Sequence, residues 1–152
     1  MDVSGSQRAL RMLSIVEIVC AAAAIAVGVV LLMAARAIDA ADAATLSSAG
    51  LAAENAPATS AAFGIFGVVG IVIGIWSLLC GILGIRASGD PTKIGVVWTF
   101  TCIGTLASLA AVIASTVNGN LEWLLVTTAV SSGAMLWHAN NIKKAIAQKA
   151  SE

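Results

Sequence analysis

The chain has no tyrosine, a single histidine and two prolines, and only 11% of its 152 residues are charged. Soluble domains carry about 25% charged residues. At 59% hydrophobic residues, there is more apolar surface than the interior of a fold this small can hide. The expected solvent is therefore lipid. A formal net charge of zero gives a nucleic-acid partner no electrostatic support. The lone histidine has no second histidine to share a metal. The three cysteines, Cys20, Cys80 and Cys102, all fall inside apolar runs, which excludes an extracellular disulfide framework and CxxC-type metal spacing. They read as small buried apolar residues. Catalytic patterns are missing as well: there is no GxSxG, HExxH or Walker-type loop, and no acid pair beside a nucleophile. No catalytic residue, metal or cofactor is assigned, and an enzyme is not expected.

Long apolar runs are what the chain does have. A bilayer core of about 30 Å needs roughly 20 apolar residues in a helix. Four stretches qualify: Met12–Ala35, Ala61–Ile85, Ile94–Val117 and Leu121–Asn140. The last is the weakest, since hydroxyls enter its second half, although Ser and Thr bond back to their own helix and are tolerated in lipid. The first run is about twice the roughly 7–15 residues of a signal-peptide core, so an uncleaved span is expected. Residues 36–60 form an Ala-rich acidic loop with Asp39, Asp42, Glu54 and Pro57. "RASGDPTK" and "NGN" (Asn118–Asn120) are short turns, which force antiparallel neighbours. The expected fold is all-α: one integral membrane domain over residues 1–152, a left-handed, up-down-up-down four-helix transmembrane bundle with tails at 1–11 and 141–152.

Basic residues divide unevenly between the two sides. Arg8, Arg11, Arg86, Lys93, Lys143, Lys144 and Lys149 share one side, and only Arg36 lies on the other. The positive-inside rule then puts both termini and the "RASGDPTK" turn in the cytoplasm, at a plasma membrane. Trp98 and Trp137 near the inner boundary and Trp123 at the outer one fit an aromatic belt, while Trp76 is expected to pack near mid-membrane. The lysines after the last run mark topology and sit where anionic headgroups lie.

The most specific pattern is in the second span. Gly67, Gly70, Gly74, Ser77, Gly81, Gly84 and Ser88 recur at alternating +3 and +4 steps, a heptad seam of glycine and serine. Apolar side chains gain little by leaving lipid tails, so close backbone approach supplies association instead. This seam is expected to be a helix-packing surface facing span three. Similar stripes are present on the other spans: Glu17, Ala21, Ala24, Gly28, Leu31 and Ala35 on the first, Thr101, Gly104, Ser108, Ala111, Ser115 and Asn118 on the third, and Thr127, Ser131, Ala134, His138 and Asn141 on the fourth.

Glu17 is the one carboxylate inside an apolar run that otherwise reads as hydrocarbon-soluble. It lies on its helix's small-residue stripe, near the cytoplasmic boundary, where a charge costs less than at the bilayer centre. His138 occupies the matching stripe of span four at a similar depth. Glu17, His138, Asn140 and Asn141 are therefore the candidate intramembrane polar site, with Glu17 and His138 expected to approach each other. Two readings stand: a structural acid paired across helices, or a proton- or cation-coupled site.

The segment Cys80–Val97, "CGILGIRASGDPTKIGVV", resembles the second-span, loop and third-span pattern of small four-span bacterial membrane proteins of unknown function. It is also similar to the membrane-spanning four-domain family of animals, the B-cell surface antigen type. Gly81, Gly84, Pro91, Thr92 and Lys93 carry the likeness. The resemblance implies a non-enzymatic, oligomer-forming four-span protein with cytoplasmic termini, whose partners are membrane lipids and itself or another membrane protein. A single Glu in the first span is similar to the small multidrug resistance transporters, which would imply proton coupling at Glu17. Those proteins lack a 25-residue outer loop and the seven-to-one charge split present here. Tetraspanins and claudins carry extracellular cysteines that this chain does not have.

Overall fold

A computed structural model describes residues 3–117 and 123–151. Among the described residues the chain is all-helical. It has α1 (Val3–Ala40), α2 (Ala43–Ser48), α3 (Ala56–Gly89), α4 (Ile94–Val117) and α5 (Trp123–Lys149), with 3-10 turns at Ala53–Asn55 and Pro91–Lys93. Three stretches, Ser4–Ala40, Ala53–Gly89 and Pro91–Ile113, are long and apolar enough to cross a membrane, consistent with an integral membrane protein. The expected turn at Asn118–Asn120 and the first residues of the fourth run lie outside the described residues.

The helices are longer than the apolar runs. α1 has 38 residues, about 57 Å at ~1.5 Å per residue, against an expected span of Met12–Ala35. Its flanks, "SGSQRALR" and "RAIDA", are polar but rich in helix formers, and hydropathy does not register that. Residues 36–60, expected as a loop, are mostly helical for the same reason: α1 runs on to Ala40 and α3 begins at Ala56 with Pro57 in its first turn. Between them, Asp42 caps α2 by accepting a hydrogen bond from Thr45 N at 2.8 Å. Gly50 ends α2 with φ +76°, the left-handed conformation that glycine adopts at no cost. Leu51 N then reaches Leu46 O at 3.0 Å and Gly50 N reaches Ser47 O at 3.0 Å, closing a Schellman motif.

The chain forms two compact units, one of residues Val19–Leu78 and one of the residues up to Ile18 together with those from Leu79 on. In the Val19–Leu78 unit, α1 and α3 meet backbone to backbone. A Cβ on Gly28 would stand 2.7 Å from Gly67 O, and a Cβ on Gly67 would stand 2.8 Å from Gly28 O. A Cβ on Gly74 would stand 3.0 Å from Ala21 O, and one on Gly70 has ordinary contact with Ala24 O at 3.5 Å. Ser60 Oγ donates to Ala35 O at 3.1 Å. The glycine seam thus lies against α1, not against span three as the sequence suggested. The reason is complementarity: α1 offers Ala21, Ala24, Gly28 and Ala35 on one face, and Gly28 lets two backbones close on each other.

The other unit is built differently. Leu10, Ala87, Ile94, Val97, Met135, Ala139 and Ile142 form its buried core, with Leu13, Leu83, Trp98 and Ile146 packed around it. α4 and α5 lie side by side. Gly81 and Gly84 of α3 take α1 closely here too: a Cβ on Gly81 would stand 2.9 Å from Ser14 O, and one on Gly84 would collide with the Ser14 hydroxyl. The hydroxyls of α4 satisfy themselves within their helix, Thr101 Oγ1 on Val97 O at 2.8 Å and Thr105 Oγ1 on Thr101 O at 2.7 Å. All three cysteines are free thiols, and Cys20, expected to be buried, is exposed.

Candidate functional site

Leu10, Ser14 and Glu17 form a stripe at +4 and +3 on α1, and all three are buried, Glu17 at 9% exposure. Their neighbours Ile15 and Val16 face outward. The stripe turns inward because Gly81 and Gly84 leave room for it on α3. Ser14 spends its hydroxyl proton on Leu10 O at 2.7 Å, so it does not donate to the carboxylate.

Ser131 does. Its Oγ donates to Glu17 Oε2 at 3.3 Å and shares that proton with Thr128 O, also at 3.3 Å. Hydroxyl-to-carboxylate bonds are ordinarily about 2.5–3.0 Å, so this one is long and divided. Buried Cys80 lies within electrostatic range of Glu17. The result is a buried acidic side chain with a long hydrogen bond from Ser131.

His138 is not its partner. It sits seven residues beyond Ser131 on α5, about 10 Å along the helix. Among the described residues the ion pair is Lys93–Asp90, and neither Asn140 nor Asn141 bonds to Glu17. The register explains the miss. Gly84 touches both Ser14 and Met135, whose Cε lies 3.4 Å from the position of its Cβ, so these two residues are level. One turn deeper, Glu17 meets Ser131. Distance from the end of an apolar run does not carry the offset between α1 and α5 at the basic end. Ser131 shares His138's stripe, and that stripe was the available signal. The Nδ1 atom of His138 is buried with no hydrogen-bond partner among the described residues.

The basic end is anchored more firmly. Lys143 Nζ sits 4.0 Å from the centroid of the Trp98 ring, a cation–π contact between α5 and α4. Asp90 accepts from Thr92 Oγ1 at 2.6 Å and from Thr92 N at 3.2 Å, and pairs with Lys93 at 3.0 Å. The Thr92 hydroxyl first, then Lys93, hold its carboxyl below the usual carboxylate range. Thr45 does the same for Asp42. Among the described residues no group of three or more His, Cys, Asp and Glu is placed to hold a metal ion.

No known family model, curated protein or solved structure matches this chain.

Proposed function

We propose that the chain is a four-span, non-enzymatic integral membrane protein of a plasma membrane, acting as a structural or protein-interaction component. In this reading α1, α3, α4 and α5 form an up-down-up-down, left-handed bundle, with α5 as the least apolar span. Both termini and the Pro91–Lys93 turn face the cytoplasm, and α2 lies outside. The observation that carries it is the Gly28–Gly67 backbone contact. It joins two helices whose other faces present large exposed apolar side chains such as Val27, Val30, Phe66 and Val72. Those faces suit lipid, a second copy or another membrane protein.

Cysteine accessibility tests the topology. With the native cysteines replaced, an impermeant thiol reagent should label Ser48→Cys in intact cells and reach Ser88→Cys only after the membrane is opened. The reverse pattern contradicts the orientation. A second reading, a small proton-coupled transporter using Glu17, is favoured by one specific feature. Glu17 is an acidic side chain buried at 9% exposure within an apolar helix, and ionisable residues inside spanning segments are rare and lean toward function.

A further inference from the structure

At the basic end of the unit that holds α4 and α5, a cleft of about 420 Å³ opens between the first turns of α1 and the last turn of α3. Gln7, Arg8 and Arg11 form one wall, and Ile85, Ser88 and Gly89 the other. Arg8 and Arg11 are three residues apart and so share a helix face. Both are exposed, and no described residue of the lining is a carboxylate. Among the described residues the ion pair is Lys93–Asp90, and neither guanidinium group has a carboxylate partner among them. Ser88 donates to Ile85 O at 2.7 Å, so the donors available to a guest are the two guanidinium groups and the Gln7 amide. Nothing lies within 4 Å of where a Cβ on Gly89 would be, and the cleft mouth is open there.

One turn further along both walls the surface becomes apolar. Met12 and Ile15 follow Arg8 and Arg11 at +4 on α1, and Ile82 precedes Ile85 at −3 on α3; all three are exposed. We propose that this cleft binds the phosphate of an anionic phospholipid headgroup, with the acyl chains running down Met12, Ile15 and Ile82. The proposal rests on the membrane-spanning reading above. Planar guanidinium groups match phosphate oxygens in pairs, and basic pockets between spanning helices at a cytoplasmic face are suited to such headgroups. Inorganic phosphate would use the same donors and none of the apolar wall, which is why the lipid is the preferred source. A neighbouring cleft of about 320 Å³, lined by Leu83, Arg86, Lys93, Val96 and Val97, is the weaker site because Asp90 already neutralises Lys93.

The test uses the full chain in phosphatidylcholine nanodiscs, with native mass spectrometry counting retained phosphatidylglycerol. The wild type should retain phosphatidylglycerol over phosphatidylcholine. Each arginine is expected to contribute about fivefold, so Arg8→Gln with Arg11→Gln should lower the preference by roughly 25-fold. Lys143→Gln with Lys144→Gln, outside the cleft, should leave most of it. Equal losses for the two pairs would reduce the effect to diffuse charge and overturn the proposal, as would no loss for the arginine pair. Displacement of the lipid by inorganic phosphate at equal concentration would also overturn it, in favour of a free-phosphate site. Circular dichroism checks that the variants fold. If the glutamine pair does not, Arg8→Lys with Arg11→Lys, which keeps charge but not the planar fork, should show a partial loss, and an unchanged preference would count against the proposal. A chain that stays in solution without detergent and does not enter the nanodiscs breaks the membrane reading instead, a result distinct from entry without lipid preference.

Discussion

The two units share close glycine contacts between α1 and α3 but differ in what else fills the helix interface. In the Val19–Leu78 unit, α1 and α3 touch where side chains are missing, the carbonyl oxygen of Gly28 and that of Gly67 each lying against the place where the other glycine would carry a Cβ. In the other unit the contact is filled by Leu10, Ile94, Val97, Met135 and Ile142. Both solutions suit helices in lipid, where packing rather than water exclusion drives association. They differ in how they fail. A glycine contact has nothing to truncate and no room to grow; a side-chain core tolerates small adjustments and suffers when volume is removed.

Enlarging the glycine contact should be the most damaging change. Gly67→Leu must displace backbone as well as Leu32, whose Cγ lies 2.8 Å from the site of the new Cβ, and should cost more than about 3 kcal/mol. Gly64→Leu, on the same helix with nothing within 4 Å of its Cβ position, should be close to neutral. Thermal unfolding in detergent compares them, and equal midpoints would break the contrast. Next comes truncation in the other unit. Met135→Ala should cost about 2–3 kcal/mol, while the same change at exposed Met12 should cost little.

Smaller effects sharpen the boundary of each unit. Lys143→Met removes the cation over the Trp98 ring and should destabilise by about 0.5–1 kcal/mol, a loss that should vanish when Trp98→Leu is already present. The smallest effect belongs to Asp42, whose carboxyl is held below its ordinary range by Thr45. A depressed carboxyl contributes fully above the unfolded value of about 3.9 and is lost as pH falls through the lower, folded value. Hydrogen exchange at Thr45 should therefore stay slow down to about pH 4 and quicken below it, and Asp42→Ala should exchange fast throughout.

The first three apolar runs, the period of the glycine seam and the inward face of Glu17 were all legible in the sequence, because each depends on spacing along one helix. What lies against them was not. The seam meets α1 because Gly28 and Ala21 complement it, a pairing between segments about 40 residues apart in sequence that periodicity does not encode. Glu17 meets Ser131 and not His138 because α5 runs further than α1 at the basic end, and charges at helix ends mark depth only loosely. α1 and α3 extend past their apolar runs because hydropathy stops where helix propensity continues.

The central functional claim is that the buried acid serves association and not transport. Proton flux into proteoliposomes under an imposed pH gradient tests it most directly, using the wild type and Glu17→Gln at equal reconstitution. The account predicts that neither exceeds protein-free vesicles, while the two differ in thermal stability in detergent. Flux from the wild type that is abolished in a folded Glu17→Gln protein would contradict it.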